Sequence, residues 1–240
     1  MSRALAFRLN FEEAFRCIGR DRAWVQKLLL GGLFSLLSLV VIGGILVQGY
    51  LLVFAARVSR GEEEPLPVWE NYGELFRWGV LGYIVAFVYC LPLILLGVLS
   101  FLLFLPLIFA GATSSQVIGQ ITGMTSVAFV LLWLVFIPLV IAISVIIPAA
   151  YAQLVLHDGD LAAAFRRRAV FGFIGRYRGQ YALLTILSYA ASSLLSQVGY
   201  IACFVGIFVT VFVAQLFQYH LIGQLCWYER TVVGVAPARQ

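Results

Sequence analysis

The chain has 240 residues, 62% of them hydrophobic and only 11% charged, with mean hydropathy +1.00 and a net charge of +5. Soluble domains carry about a quarter of their residues as charges, so this composition excludes a soluble globular domain and places the chain in the membrane class. The length suits one compact bundle. The positive balance reads as basic flanks at anionic headgroups, because no Lys/Arg-rich nucleic-acid motif is present.

Every charge falls in one of four clusters: Arg3 to Lys27, Arg57 to Arg77, Asp158 to Arg178, and a tail with Glu229, Arg230 and Arg239. A charge at the bilayer centre costs about 2.5–3.5 kcal/mol even on the lenient insertion scale. The clusters therefore mark membrane exits, and the uncharged runs between them mark the spans.

In chain order, Met1 to Lys27 is polar and mixed in charge, without the apolar core of a secretory signal. Residues 10–27 read as an amphipathic interfacial helix. Asn10 is a natural N-cap, Glu13 complements the helix dipole, and Phe11, Phe15 and Ile18 share a face. The membrane run at 28–56 is either one tilted helix or a short hairpin bent at Gly43-Gly44. The hairpin is preferred, because it leaves every charge on one face.

The loop that follows holds Glu62, Glu63 and Glu64, then Leu66, Pro67 and Trp69. Together these form a candidate partner-binding loop. The plainer reading is a solvated acidic turn and a Trp that anchors the next interfacial helix at 71–77. The membrane run 78–156 contains no Asp, Glu, Lys or Arg and has length for two passes, joined near residues 113–123.

A third interfacial helix is expected at 160–178, capped by Asp160. Asn71 and Asp160 repeat the Asn10 arrangement, each followed four residues after a large apolar residue by Phe-Arg. The run 179–228 fits two passes that turn at Gln197-Val198-Gly199. Ser188, Ser192 and Ser196 recur every four residues within it. Such a small-residue stripe lets two helices pack closely.

The residue inventory disfavours chemistry. There is no phosphate-binding glycine loop, no dinucleotide fingerprint, no zinc-protease helix and no nucleophile elbow. The four cysteines are scattered and lack metal spacing. His157 and His220 have no evident partner acid inside the membrane. A metal site at His157, Asp158 and Asp160 is outweighed by a capped helix at a membrane exit, and two histidines in 240 residues are weak evidence for a haem held by both. No catalytic residue, metal or cofactor is expected. Gln215, Gln218, His220 and Gln224 on the last span divide between two faces at 100° per residue, which points to separate interhelical hydrogen bonds.

One group of residues carries a family resemblance. It comprises Phe11-Glu12-Glu13-Ala14-Phe15, Gly31-Gly32, Gly49-Tyr50, Arg60-Gly61-Glu62, Leu66-Pro67-Val68-Trp69-Glu70, Leu75-Phe76 with Gly79, and Tyr89 with Pro92. Gly159-Asp160-Leu161, Ala164-Phe165 and Gly223-Gln224 extend it. In these the chain resembles domain-of-unknown-function family 4013, a group of prokaryotic multi-pass membrane proteins. The resemblance implies fold and location and assigns no catalytic residue.

The expectation is an all-α transmembrane helical bundle of about six membrane segments, with five as the alternative, and amphipathic interfacial helices. By the positive-inside rule its charged loops and both termini face the cytoplasm, in the cytoplasmic membrane. The expected role is a non-enzymatic structural, assembly or accessory one. The alternative is a permease or channel for a neutral or apolar small molecule. Expected partners are membrane lipids and other membrane proteins or a second copy, and not nucleic acid.

Overall fold

The computed structural model describes residues 10–39, 41–63, 66–110, 116–201 and 205–234. Among them the regular structure is helical, with no strand. The α-helices are α1 (Phe11–Arg20), α2 (Trp24–Leu36), α3 (Val41–Arg60), α4 (Tyr72–Ala110), α5 (Gln116–Leu156), α6 (Leu161–Phe165), α7 (Arg167–Arg176), α8 (Arg178–Ile201) and α9 (Val205–Tyr228). Among the described residues five segments are long and apolar enough to cross a membrane: Val41–Arg60, Tyr72–Leu105, Gly123–Leu156, Arg178–Tyr200 and Gly206–Val232. The chain is therefore an all-α multi-pass membrane protein. α2 is apolar but has only 13 residues, about 20 Å of helix against a hydrocarbon core of about 30 Å.

The run 28–56 is thus neither one span nor a hairpin bent at the glycine pair. α2 ends in a 3-10 turn at Leu37–Leu39, and the chain returns as α3. The two helices are antiparallel. The Lys27 ammonium at the start of α2 donates to the Leu66 carbonyl just beyond α3 (3.1 Å), while Gly43 near the start of α3 lies against Leu37. Gly43 and Gly44 sit inside α3, where they serve close approach: a Cβ on Gly43 would meet the Leu37 backbone, and one on Gly44 the Tyr83 hydroxyl.

Gln197-Val198-Gly199 is likewise helical. α8 continues to Ile201, and Gly199 lets the Ile207 backbone and Thr210 of α9 come close. Turning at 197–199 is unnecessary because the glycine is spent on helix contact. The connection between the helices lies outside the described residues.

The three capped patterns form three different structures. Asn10 caps α1, its side-chain oxygen accepting from the Glu13 amide (3.2 Å). Asp160 caps α6 through the Ala162 amide (2.9 Å). Residues 72–77 are not a separate interfacial helix but the first turns of α4, since nothing between Arg77 and the apolar run breaks the helix. The expected helix at 160–178 is divided at Arg166, which is extended between α6 and α7.

The contacts divide the chain into two units, Met1–Val85 with Pro148–Gln240, and Ala86–Ile147. In the smaller unit the side chains are mostly exposed and apolar, Leu95, Val98, Phe101, Leu131, Leu134 and Ile141 among them, as expected of helices surrounded by lipid. Phe104, Phe129, Trp133 and Phe136 form a chain of ring contacts within it.

The larger unit is built around α3. Its residues Tyr50 to Ala56 are all buried. Beside them Trp69 is 6% exposed, inserted between Phe34 (ring centroids 4.8 Å apart) and Tyr50 (4.3 Å), with Phe212 of α9 next to Tyr50 (5.6 Å). The Trp69 indole N–H donates to the Lys27 carbonyl (3.2 Å), so its polar edge is satisfied. α3 and α4 cross at a glycine contact. A Cβ on Gly49 would overlap the Leu75 carbonyl oxygen, and one on Gly79 the Ile45 carbonyl oxygen. Inside a bilayer, association rests on such close packing, since lipid tails are as apolar as leucine.

Charges in this unit gather at one end. Asp158 pairs with Arg60 and Arg230 (both 3.2 Å). Arg230 also donates to the Val155 carbonyl (2.9 Å), covering an orphan acceptor at the end of α5. Glu229 pairs with Arg176 and accepts the Tyr177 hydroxyl; burial first, and the adjacent Glu229, raise the Tyr177 pKa. Asp21 is buried with Lys27 (2.5 Å). Burial alone would raise the Asp21 carboxyl, but the Lys27 bond and the Ala23 amide outweigh it and hold it below its ordinary value. Its contribution is therefore present above the unfolded carboxylate pKa, and is lost as pH falls through the depressed one.

The glycine crossing generates a direct test. Gly49→Ala and Gly79→Ala should each lower thermal stability in detergent, by about 1–3 kcal/mol for an overpacked contact, because the obstructing atoms are backbone. Gly97→Ala, where an added Cβ meets nothing, should not. Equal melting midpoints for all three variants would show that the close approach is dispensable.

Candidate functional site

The candidate partner-binding loop divides in two. Glu62 and Glu63 are exposed, and Glu64 lies outside the described residues. Leu66 (2% exposed), Pro67 and Trp69 are buried. Trp69 fills the core rather than forming an exposed Trp-Pro turn, and the segment leaves Glu62, Glu63 and Val68 exposed. Glu62 faces Arg57 at 3.8 Å.

Along the expected packing stripe, Ser188 is buried and its hydroxyl has no partner among the described residues. Ser192 and Ser196 are half-buried, and the Ser196 hydroxyl donates to the Ser192 carbonyl (2.7 Å). Tyr181, Leu184 and Ser188 form the buried face of α8, and Gly199 continues it toward α9.

A second constellation joins residues far apart in sequence. α1 lies against α9 at the charged end, where a cleft of about 400 Å³ is lined by Glu13, Cys17, Glu63, His220, Gln224 and Trp227, among others. Cys17 Sγ is 3.3 Å from His220 Nδ1, and Gln224 Nε2 is 2.9 Å from His220 Nε2. The Gln224 amide is oriented by backbone groups whose roles are fixed: Oε1 accepts the Asn10 N–H (3.0 Å) and Nε2 donates to the Asn10 carbonyl (2.9 Å). Nε2 is thus a donor toward His220 as well, so His220 Nε2 is the bare acceptor and Nδ1 carries the proton.

This order of protons decides what the Cys–His pair can do. A catalytic base must accept the thiol proton, yet Nδ1–H already points its own proton at sulfur. The thiol is also far from ionised at neutral pH, because burial and then the Glu13 carboxylate push its pKa up to about 12. A thiolate, not a thiol, is the nucleophile. With the protons in this order the pair is a hydrogen-bonded contact between α1 and α9.

The remaining candidates are occupied by structure. His157 Nδ1 contacts the Gln153 carbonyl of its own helix (3.0 Å). Asp158 is engaged by two arginines and Asp160 caps α6. Among the described residues no three His, Cys, Asp or Glu side chains converge on a possible metal position.

The four polar residues of α9 serve different places. Gln215 lines a cavity of about 270 Å³ between α2, α3, α4 and α9, together with Ser35, Ser38, Gln48 and Tyr83. Gln218 is half-buried, and His220 and Gln224 belong to the cleft. The helical-wheel separation in the sequence anticipates this division. The Cys17–His220 contact has no sequence signal, being a tertiary contact between residues 203 positions apart.

Comparison with known families identifies one: the family described as "Protein of unknown function (DUF4013)" matches residues 32–222. The chain belongs to this family. No curated protein and no solved structure matches it.

Two outcomes follow from these sites. Ser192→Leu should lower the melting midpoint in detergent, since overpacking a helix contact typically costs about 1–3 kcal/mol; an unchanged midpoint would place the stripe away from a packed helix. Cys17 should resist alkylation by a neutral maleimide in folded protein from pH 7 to 9 and react once the protein is denatured, as read by mass spectrometry. Rapid modification of folded protein at pH 7 would contradict the buried, protonated thiol.

Proposed function

For this member of a family with no assigned role, we propose a non-enzymatic structural, assembly or accessory function in the cytoplasmic membrane, with the charged end facing the cytoplasm. The observation that carries the reading is the packed layer across the larger unit. Leu52 and Phe54, beyond Gln48 along α3, and Leu216 and Leu221, beyond Gln215 along α9, are 0% exposed, and each helix runs from the cavity residues through them to the charged end. A passage for solute needs an opening where this layer stands. The protonation of the Cys17–His220 pair supports the non-enzymatic part, and the basic Arg166-Arg167-Arg168 cluster supports the orientation. The partner surface this reading favours is the acidic exposed edge with Glu62 and Glu63, beside Trp227. The partner is a membrane protein with a basic juxtamembrane segment.

The competing permease reading draws on the same cavity, whose lining is uncharged and mixes polar with apolar side chains. Reconstitution separates the two. Liposomes containing the purified protein should swell in erythritol no faster than protein-free liposomes. A photo-crosslinking residue at Glu63 in cells should give one discrete adduct, lost on Glu62→Lys with retained expression. Accelerated swelling would overturn the accessory role in favour of the permease, and the absence of any adduct would remove the acidic edge as its contact.

A further inference from the structure

The cavity between α2, α3, α4 and α9 has an unusual lining for its position. Ser35 and Ser38 come from the end of α2 and its turn, Gln48 from α3, Tyr83 from α4 and Gln215 from α9. These five polar side chains converge from four elements of the larger unit, while Val47, Phe208 and Val211 supply apolar wall. At about 270 Å³ the space is just under the range of ordinary small-molecule pockets, about 300–1,000 Å³.

Polar groups inside a bilayer are costly unless they are bonded. Part of this lining is satisfied within the protein. The Gln48 amide donates to the Tyr219 hydroxyl (2.7 Å), and the Ser38 hydroxyl donates to the Ser35 carbonyl. The rest is not. The Ser35 hydroxyl, in a residue only 8% exposed, has no partner among the described residues. The Gln215 amide brings two donors and an acceptor to the same space. A helix contact stabilised by packing alone would use small or apolar residues here, as the neighbouring Gly44 and Val47 do.

We propose that this cavity is a binding site for a small uncharged polyhydroxyl group. The ligand is uncharged because, among the described residues, no Asp, Glu, Lys, Arg or His lines the cavity, and an ion there would lose its hydration without a counter-charge. It is polyhydroxyl because the lining mixes hydroxyls and carboxamides, which both donate and accept, and a polyol meets such a lining without leaving groups unpaired. The same chemistry arrives either as a free polyol or as the glycerol headgroup of a neutral lipid. This assignment goes beyond the accessory role and does not depend on it, since occupancy is measured without reference to flux or partners.

The test is saturation-transfer NMR on the full chain in detergent, with erythritol as the free polyol and monooctanoylglycerol as the lipid headgroup, and octanoic acid as a control for the chain alone. The wild type should show transfer to the hydroxyl-bearing carbons of at least one of the two. Gln215→Leu, which removes the carboxamide, and Val211→Phe, which fills the space, should each reduce that signal at least fivefold. Signal from erythritol assigns a free polyol, and signal from monooctanoylglycerol alone assigns a lipid headgroup. If Val211→Phe does not fold, Gln215→Leu decides. Absence of transfer from both probes, transfer equal to that of octanoic acid, or transfer that survives in the folded variants overturns the proposal.

Discussion

The cost of placing charge in hydrocarbon is the constraint from which the rest of this structure follows. With 16 Lys+Arg and 11 Asp+Glu and a penalty of about 2.5–3.5 kcal/mol for a charge at the bilayer centre, the helices return their ends to common places. Arg60, Asp158 and Arg230 meet because the ends of α3, α5 and α9 arrive at one end of the larger unit. α2, α4 and α8 leave from that end. The exposed ion pairs add little stability themselves, because solvent screens them. Buried Asp21–Lys27 differs: each partner keeps the other from being an uncompensated charge, and removing one is the expensive change.

Away from that end, association depends on shape. Gly31 faces Phe212, Gly32 faces Val209, Gly49 faces Leu75, Gly79 faces Ile45 and Gly223 faces Val58. In each pair a missing side chain on one helix accommodates a neighbour. Trp69 is a large wedge, reaching from the loop into the space between Phe34 and Tyr50. These glycines and aromatics are also much of what carries the family resemblance. That resemblance is therefore in large part a packing pattern.

Different physical features were legible to different degrees in the sequence. The charge-free runs declare the membrane class, because composition acts residue by residue. The caps at Asn10 and Asp160 are legible because they are local, closing hydrogen bonds within three residues. The positions of turns are less so. Gly43-Gly44 and Gly199 read as bends, since glycine permits them, but the structure uses them for contact with Leu37, Tyr83 and Ile207. Trp69 reads as an interfacial anchor by its place at the edge of a run, and its burial is decided by Phe34 and Tyr50 from other elements. The i, i+4 pair His220–Gln224 is local, but the contacts that Cys17 and Asn10 make with it, and the cavity at Gln48 and Gln215, are tertiary, and no spacing announces them.

The central claim is that the charged end of the larger unit lies on one side of the membrane. Single cysteines at Glu63, Arg167 and Thr231, all exposed, test it in a background without the four native cysteines. A membrane-impermeant maleimide is applied to sealed vesicles of each orientation. The account predicts that all three positions label in inverted vesicles and none in right-side-out ones. Labelling of any one position from the side opposite the other two would contradict it.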